Sequence, residues 1–298
     1  MRKQLMLIGL RAVLRLLGTL APERAATLAF HLFRLPSGRS RLRETELPTM
    51  RRATVETLTI RTLQVQTYRW GNGARPVLML HGWESRGARF VPLVERLLDE
   101  GYSPICFDSP GHGESEGEGA TILDYLAISE ALHERHGDFE AIVGHSFGVL
   151  CGFVALAEGV HARCAVAVSG VSEFRYLFDA FSAELRLSDA LKRALRTRIE
   201  GFFDPLDDIW ARFSVTRGTP DLQQPVLLIH DEDDRMVSPG QALRTAAHFG
   251  TQAELMLTAG LGHNRILGDG MVIDRISGFI RRKTETPALR VVPAGIGA

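Results

Sequence analysis

Six continuous apolar runs, each bounded by turn residues, constrain this chain more than any other feature. They are PVLMLH (76–81), SPICFD (103–108), FEAIVG (139–144), ARCAVAV (162–168), PVLLIH (225–230) and QAELML (252–257). A strand buried on both faces loses the polar–apolar alternation of a half-buried one, and such strands belong to parallel sheets. Helical stretches at 87–100, 121–136, 147–158, 239–249 and 269–283 separate most of the runs. This alternation predicts a doubly wound α/β sheet. Ahead of it, TVETLTI and LQVQTYRW alternate with period two and read as a hairpin of half-buried strands. The expectation is a mostly parallel sheet of eight strands with helices on both faces.

Composition narrows the function. The 298 residues are 45% hydrophobic and carry 35 basic against 35 acidic side chains, which excludes an intrinsically disordered chain. Zero net charge argues against a general nucleic-acid binder, which needs a basic surplus. Three cysteines make neither a disulfide framework nor a four-cysteine zinc site. They read as buried small apolar residues of a reducing compartment, so a cytoplasmic protein is expected.

The neutral total hides an asymmetry. Residues 1–52 hold eleven cations against three carboxylates, a net +8, and residues 53–298 carry the balancing −8. At 100° per residue the first twenty residues form an amphipathic helix. Lys3, Gln4, Arg11, Arg15 and Gly18 share its narrow polar side, and leucines fill the rest. Arg11 and Arg15 make it too charged to span a bilayer, and no A-x-A cleavage site follows. Pro22 suits the first turn of a second helix, about 22–33, which ends before Pro36. Three readings of residues 1–35 stand open: packing on the protein's own body or on a second copy, peripheral contact with an anionic inner membrane face, or a cleaved signal. The expected organisation is a basic helical extension at 1–52, a main domain at 53–283 and a loose tail at 284–298.

About 55 residues separate the runs at 162–168 and 225–230, far above ordinary loop length. Six of the fifteen phenylalanines fall here, at largely helical spacing. The segment, about 171–224, reads as an inserted helical cap.

Residues 144–148 read Gly-His-Ser-Phe-Gly, between an apolar strand and an apolar helix. A sharp strand-to-helix turn there forces Ser146 into a strained conformation, needs small residues at 144 and 148, and presents Oγ at the strand's carboxyl end. Other segments agree with this one. His81-Gly82-Trp83 follows the third strand, and Asp108-Ser109-Pro110-Gly111-His112-Gly113-Glu114-Ser115 follows the fourth. On these residues, between about 54 and 283, the chain resembles the α/β-hydrolase superfamily, in its serine-nucleophile branch with a helical cap.

A serine hydroxyl needs an imidazole to take its proton and a carboxylate to orient that imidazole. The resemblance implies the order Ser, acid, His, and places the base at His263, after the last strand. His81, His112, His145 and His230 read as structural. The acid should follow PVLLIH, where the family pattern implies Asp234. Asp231 stands where glycine is usual, so Asp231 and Asp233 stay open as alternatives. The alternative acid position, after ARCAVAV, holds no carboxylate. The resemblance also implies oxyanion donors in the backbone N–H groups of Trp83 and Phe147. Glu84, beside them, is expected to turn to a neighbouring loop or to Arg86.

Phe178, Phe181, Phe202, Phe203 and Trp210 are the candidate walls of a substrate pocket beneath the cap. No cofactor or metal is expected, since ligand spacing and a dinucleotide fingerprint are both missing from the sequence. The implied activity is serine hydrolysis of a small or medium apolar carboxylic ester, carboxylesterase-like. A thioesterase, acyltransferase or carbon–carbon bond hydrolase would use the same triad. A non-catalytic binding module is the reading from another class.

Overall fold

The computed structural model of the protein describes residues 2–219 and 221–285. The outlying tail expected at 284–298 falls almost wholly outside the described residues. The strands are β1 (Thr54–Ile60), β2 (Leu63–Arg69), β3 (Pro76–Leu80), β4 (Ser103–Phe107), β5 (Ala141–His145), β6 (Ala165–Val168), β7 (Val226–Asp231) and β8 (Ala253–Thr258). They form one sheet in the order β1-β2-β4-β3-β5-β6-β7-β8. The hairpin β1–β2 is antiparallel, and β2 meets β4 antiparallel. The other five pairings are parallel.

The helices are α1 (Arg2–Leu20), α2 (Pro22–Arg34), α3 (Leu47–Met50), α4 (Val91–Asp99), α5 (Ile122–His136), α6 (Phe147–Ala157), α7 (Phe174–Glu184), α8 (Asp189–Phe202), α9 (Ile209–Arg212), α10 (Val215–Gly218), α11 (Gly240–Phe249), α12 (Gly262–Arg265) and α13 (Gly270–Thr284). Local signals set several ends. Thr121 caps α5 by accepting from Asp124 N while Asp124 answers to Thr121 N. Asp269 caps α13 by accepting from Val272 N.

β3 to β7 are buried along their whole length, as continuous apolar runs require. The run at 252–257 departs from that expectation. It forms the edge strand β8, and Leu255 and Leu257 are exposed. On its other face Glu254 pairs with Arg275 and Arg282 of α13. β8 is the last strand of the sheet, and at this margin the flanking helices cover its faces incompletely. Two apolar layers flank the sheet. One holds α5 and α6 against β3–β6, and continues into the cap, α1 and α2. The other packs α4 and α13 on the opposite face.

α7 to α10 form the cap between β6 and β7. The N-terminal helices lie on it. α2 presents Ala25, Ala26 and Ala29, all fully buried, and small side chains allow close approach to α8. Arg198 of α8 bonds Glu23 at 2.8 Å. Phe33 meets Phe174 and Phe181 at ring separations of 5.9 and 5.2 Å, and Phe30 meets Phe202 at 5.5 Å.

Candidate active site

Ser146 joins β5 to α6 with φ 56° and ψ −120°, a conformation that costs a non-glycine residue about 1–3 kcal/mol. Its surroundings hold it there. Ser146 N donates to Val168 O of β6 at 3.0 Å, and its carbonyl accepts from Val171 N at 3.1 Å. The flanking glycines are required by close approach. A Cβ at Gly144 would lie 2.6 Å from Val149 Cα, and one at Gly148 would overlap the Leu80 carbonyl oxygen. Gly82 is equally tight: its Cβ would lie 2.7 Å from Ser146 Cβ and 3.3 Å from Ser146 Oγ. The His81-Gly82-Trp83 segment therefore lies directly against the serine.

The N–H of Trp83 and of Phe147 meet no acceptor among the described residues. Phe147 opens α6, where the first N–H groups of a helix lack internal partners and the dipole favours negative charge. The Phe147 ring is buried, edge-on to Trp83 and Tyr125. Tyr125 donates its hydroxyl to the His81 carbonyl at 3.0 Å, which fixes the segment from behind.

His263 sits on the short α12, and its Nδ1 lies 2.7 Å from Asp234 Oδ2. That leaves Nε2 as the ring's free nitrogen. Asp234 Oδ1 accepts from the N–H of Met236 and Val237 at 2.8 and 3.0 Å. Burial works against ionising Asp234. The bonds from His230, His263 and Val237 N outweigh it and hold the carboxyl well below its usual range. His145 is fully buried, and its Nε2 lies 2.9 Å from the His263 carbonyl oxygen. Burial, with His263 nearby, pushes the His145 pKa down to about 3. The neutral ring must then carry its proton on Nε2 to serve that carbonyl.

The three neighbouring acids separate in space. Asp234 alone meets the His263 ring. Asp231, at the end of β7, accepts from Thr258 Oγ1 (2.7 Å), Gly262 N (2.8 Å), Leu261 N (3.0 Å) and Asp233 N (3.0 Å). Asp233 accepts from Gly260 N at 2.8 Å. Both tie down the loop that delivers His263. A glycine at 231 could make none of these side-chain bonds.

His81 and His112 hold loops together. His81 Nε2 accepts from Ser109 N, and burial lowers its pKa to about 3. His112 Nε2 accepts from Glu84 N. Asp108 accepts from Gly87 N, Glu114 N and Tyr68 Oη, and pairs with the buried Arg86. The Glu84 carboxylate reaches the segment after α2, where it accepts from Ser37 N at 2.7 Å.

The five cap aromatics are engaged in packing. Phe178 and Phe203 are nearly fully buried; Phe178 meets Trp210, and Phe203 meets Phe174 and Phe213. Phe181 meets Phe33, and Phe202 meets Phe30 and Arg34 of α2. Trp210 also borders a cap cavity of about 260 Å³, whose lining of Arg196, Glu200, Leu206, Asp207, Asp208 and Ile209 includes none of Ser146, Asp234 and His263. Among the described residues, no three His, Cys, Asp or Glu converge at metal-binding separations.

The structure adds a contributor that sequence reasoning missed. Arg39, in the segment after α2, donates to the carbonyls of Gly113 and Gly117 at 3.0 and 2.8 Å and to those of His112 and Ser115. It binds the loop whose His112 holds Glu84 N. One arginine among many in a basic head carries no local signal of such a role.

Comparison with known proteins agrees with this architecture. The profile described as "Alpha/beta hydrolase family" matches residues 77–271. The pimeloyl-[acyl-carrier protein] methyl ester esterase of Xanthomonas oryzae is 28% identical over 250 residues, covering 71% of this chain and 95% of the relative. Non-heme chloroperoxidase CPO-A1 of Kitasatospora aureofaciens is 27% identical, covering 65% of this chain and 86% of the relative. In three dimensions the Pyrococcus furiosus esterase Pf2001 superposes with a TM-score of 0.62 at 22% identity, over 85% of this chain and 98% of that one. With the strand order, the strained serine turn and this match over most of its length, the chain belongs to the α/β-hydrolase family.

Proposed function

We propose that the chain is a serine hydrolase that cleaves a small or medium apolar carboxylic ester through an acyl-enzyme. Ser146 Oγ attacks the carbonyl carbon while His263 Nε2 takes its proton. Asp234 keeps the ring in the right tautomer and stabilises the imidazolium. The N–H groups of Trp83 and Phe147 bind the oxyanion, where one such donor contributes about 100–1,000-fold in rate. Collapse breaks the ester C–O bond, and the alcohol leaves with the proton from His263. Water, deprotonated by the same ring, then attacks the acyl carbon and returns Ser146.

The observation that carries this reading is the 2.7 Å bond between His263 Nδ1 and Asp234, in a fold whose serine turn abuts Gly82. The methyl ester esterase among the relatives supports an ester over other acyl substrates. The aromatic cap favours an apolar acyl group over a polymer. Phe178, Phe181, Phe202, Phe203 and Trp210 would act on the substrate side by setting how the cap sits. The test is a panel of p-nitrophenyl esters from acetate to decanoate. Hydrolysis should favour short to medium chains and vanish in Ser146→Ala. Equal turnover by Ser146→Ala would defeat the proposal.

A further inference from the structure

α1 buries only a narrow seam. Leu14 is 1% exposed, and Leu7, Leu10 and Leu17 pack beside it. Arg11, on the polar side of the helix, is turned inward, and its Nε donates to Glu184 O of the cap at 2.9 Å. The widest apolar arc is thereby left facing outward. Leu5, Met6, Ile8, Val13, Leu16 and Leu20 are 47–75% exposed. They are six of the thirteen large exposed apolar side chains among the described residues, gathered on one nineteen-residue helix. Scattered exposed apolar residues need no explanation, but a contiguous patch does.

The patch is held in place. α1 leans on α2, which is seated on α8 through its alanine face and the Arg198–Glu23 pair. α1 carries Arg2, Lys3, Arg11 and Arg15 and no acid, a net +4. Arg15 is exposed at the border of the apolar arc, 20° around the helix from Ile8. No described helix is long and apolar enough to cross a membrane, so α1 would lie along a surface.

We propose that the outward face of α1 docks on an anionic lipid surface, with Leu5, Ile8, Leu16 and Leu20 in the acyl boundary and Arg15 among the headgroups. Charge decides between this occupant and a second copy of the chain. A two-fold contact through the same face sets one +4 helix against another. Anionic headgroups neutralise that charge, and they attract cationic residues near the surface. The docking is independent of the hydrolase reading, since it uses no residue of the candidate active site.

The test is co-sedimentation of the full chain with vesicles of phosphatidylcholine containing 30% phosphatidylglycerol, and with phosphatidylcholine alone. The expected result is binding to the anionic vesicles at least ten-fold stronger than to the neutral ones, weakened as salt rises from 0.1 to 0.5 M. The variant Leu5→Gln/Ile8→Gln/Leu16→Gln/Leu20→Gln should bind at least ten-fold more weakly with an unchanged far-UV spectrum. No binding by the full chain, or equal binding by the variant, overturns the proposal. A dimer in analytical ultracentrifugation that the same variant disperses, without vesicle binding, also overturns it and makes this face a subunit contact.

Discussion

Replacing Asp231 by alanine tests how His263, the proposed base, is held in place. The carboxylate is fully buried and accepts four bonds, two of them from Leu261 and Gly262 immediately before His263. The Thr258 hydroxyl can turn elsewhere, whereas backbone N–H groups cannot. A hydrogen bond to a charged partner contributes about 1.5–3 kcal/mol net, so losing the two bonds to the His263 loop should cost about 3 kcal/mol. At about 2.1 cal/mol/K of unfolding entropy per residue, that lowers Tm by about 5 °C for a chain of this length. The same loss loosens the loop, and a displacement of about 1 Å at a catalytic group can cost about 100-fold. Calorimetry and ester kinetics on Asp231→Ala and Asp231→Asn should show a smaller deficit for Asn, which keeps one acceptor oxygen. Burial opposes ionising Asp231, and the bonds from Thr258, Gly262, Leu261 and Asp233 outweigh it, so its folded-state pKa is lowered. Its stabilisation is therefore in place above about pH 4 and fades as pH falls through the folded value. A Tm within 1 °C of the parent, with unchanged kinetics, would refute this account of the loop.

Three further outcomes are expected. In Gly82→Ala the new methyl would sit 2.7 Å from Ser146 Cβ; kcat/KM should fall about 100-fold or more, as when an oxyanion donor is lost, and a near-parental rate would contradict the packing. Arg39→Ala frees four loop carbonyls from one guanidinium and should lower Tm by a few degrees and kcat by about ten-fold; an unchanged kcat would show that the loop holds its shape alone. His81 and His145 stay neutral in the fold down to about pH 3 because they are buried, yet they protonate below about pH 6.5 when unfolded. Each therefore withdraws stability as pH falls between those values. Urea melts should lose about 2 kcal/mol between pH 6 and 5, and a flat profile would contradict neutral burial.

Much of this was legible in the chain itself, for identifiable reasons. Strands buried on both faces must be apolar throughout, so β3 to β7 announce themselves as runs. The serine turn was legible because its glycines are imposed by backbone approach, at distances no side chain could share. The exposure of Leu255 and Leu257 was not, because an apolar run carries no mark of being at a sheet edge. The choice among Asp231, Asp233 and Asp234 depended on which way a turn folds. Three aspartates within four residues differ only in what the chain brings to them from 27 to 30 residues away. Arg39 and the outward arc of α1 were hidden for a related reason. The helical wheel gives the amphipathic pattern but not which side the cap would claim, and Arg11 turned toward Glu184 reverses the simple expectation that charge faces water.

The central claim is that Ser146 is an activated nucleophile. It is tested most directly by incubating the protein with a fluorophosphonate and locating the adduct by peptide mass spectrometry. The account predicts one stoichiometric adduct on Ser146, absent from Ser146→Ala and much slower to form in His263→Ala. No adduct on the folded protein, or one that persists in Ser146→Ala, would contradict it.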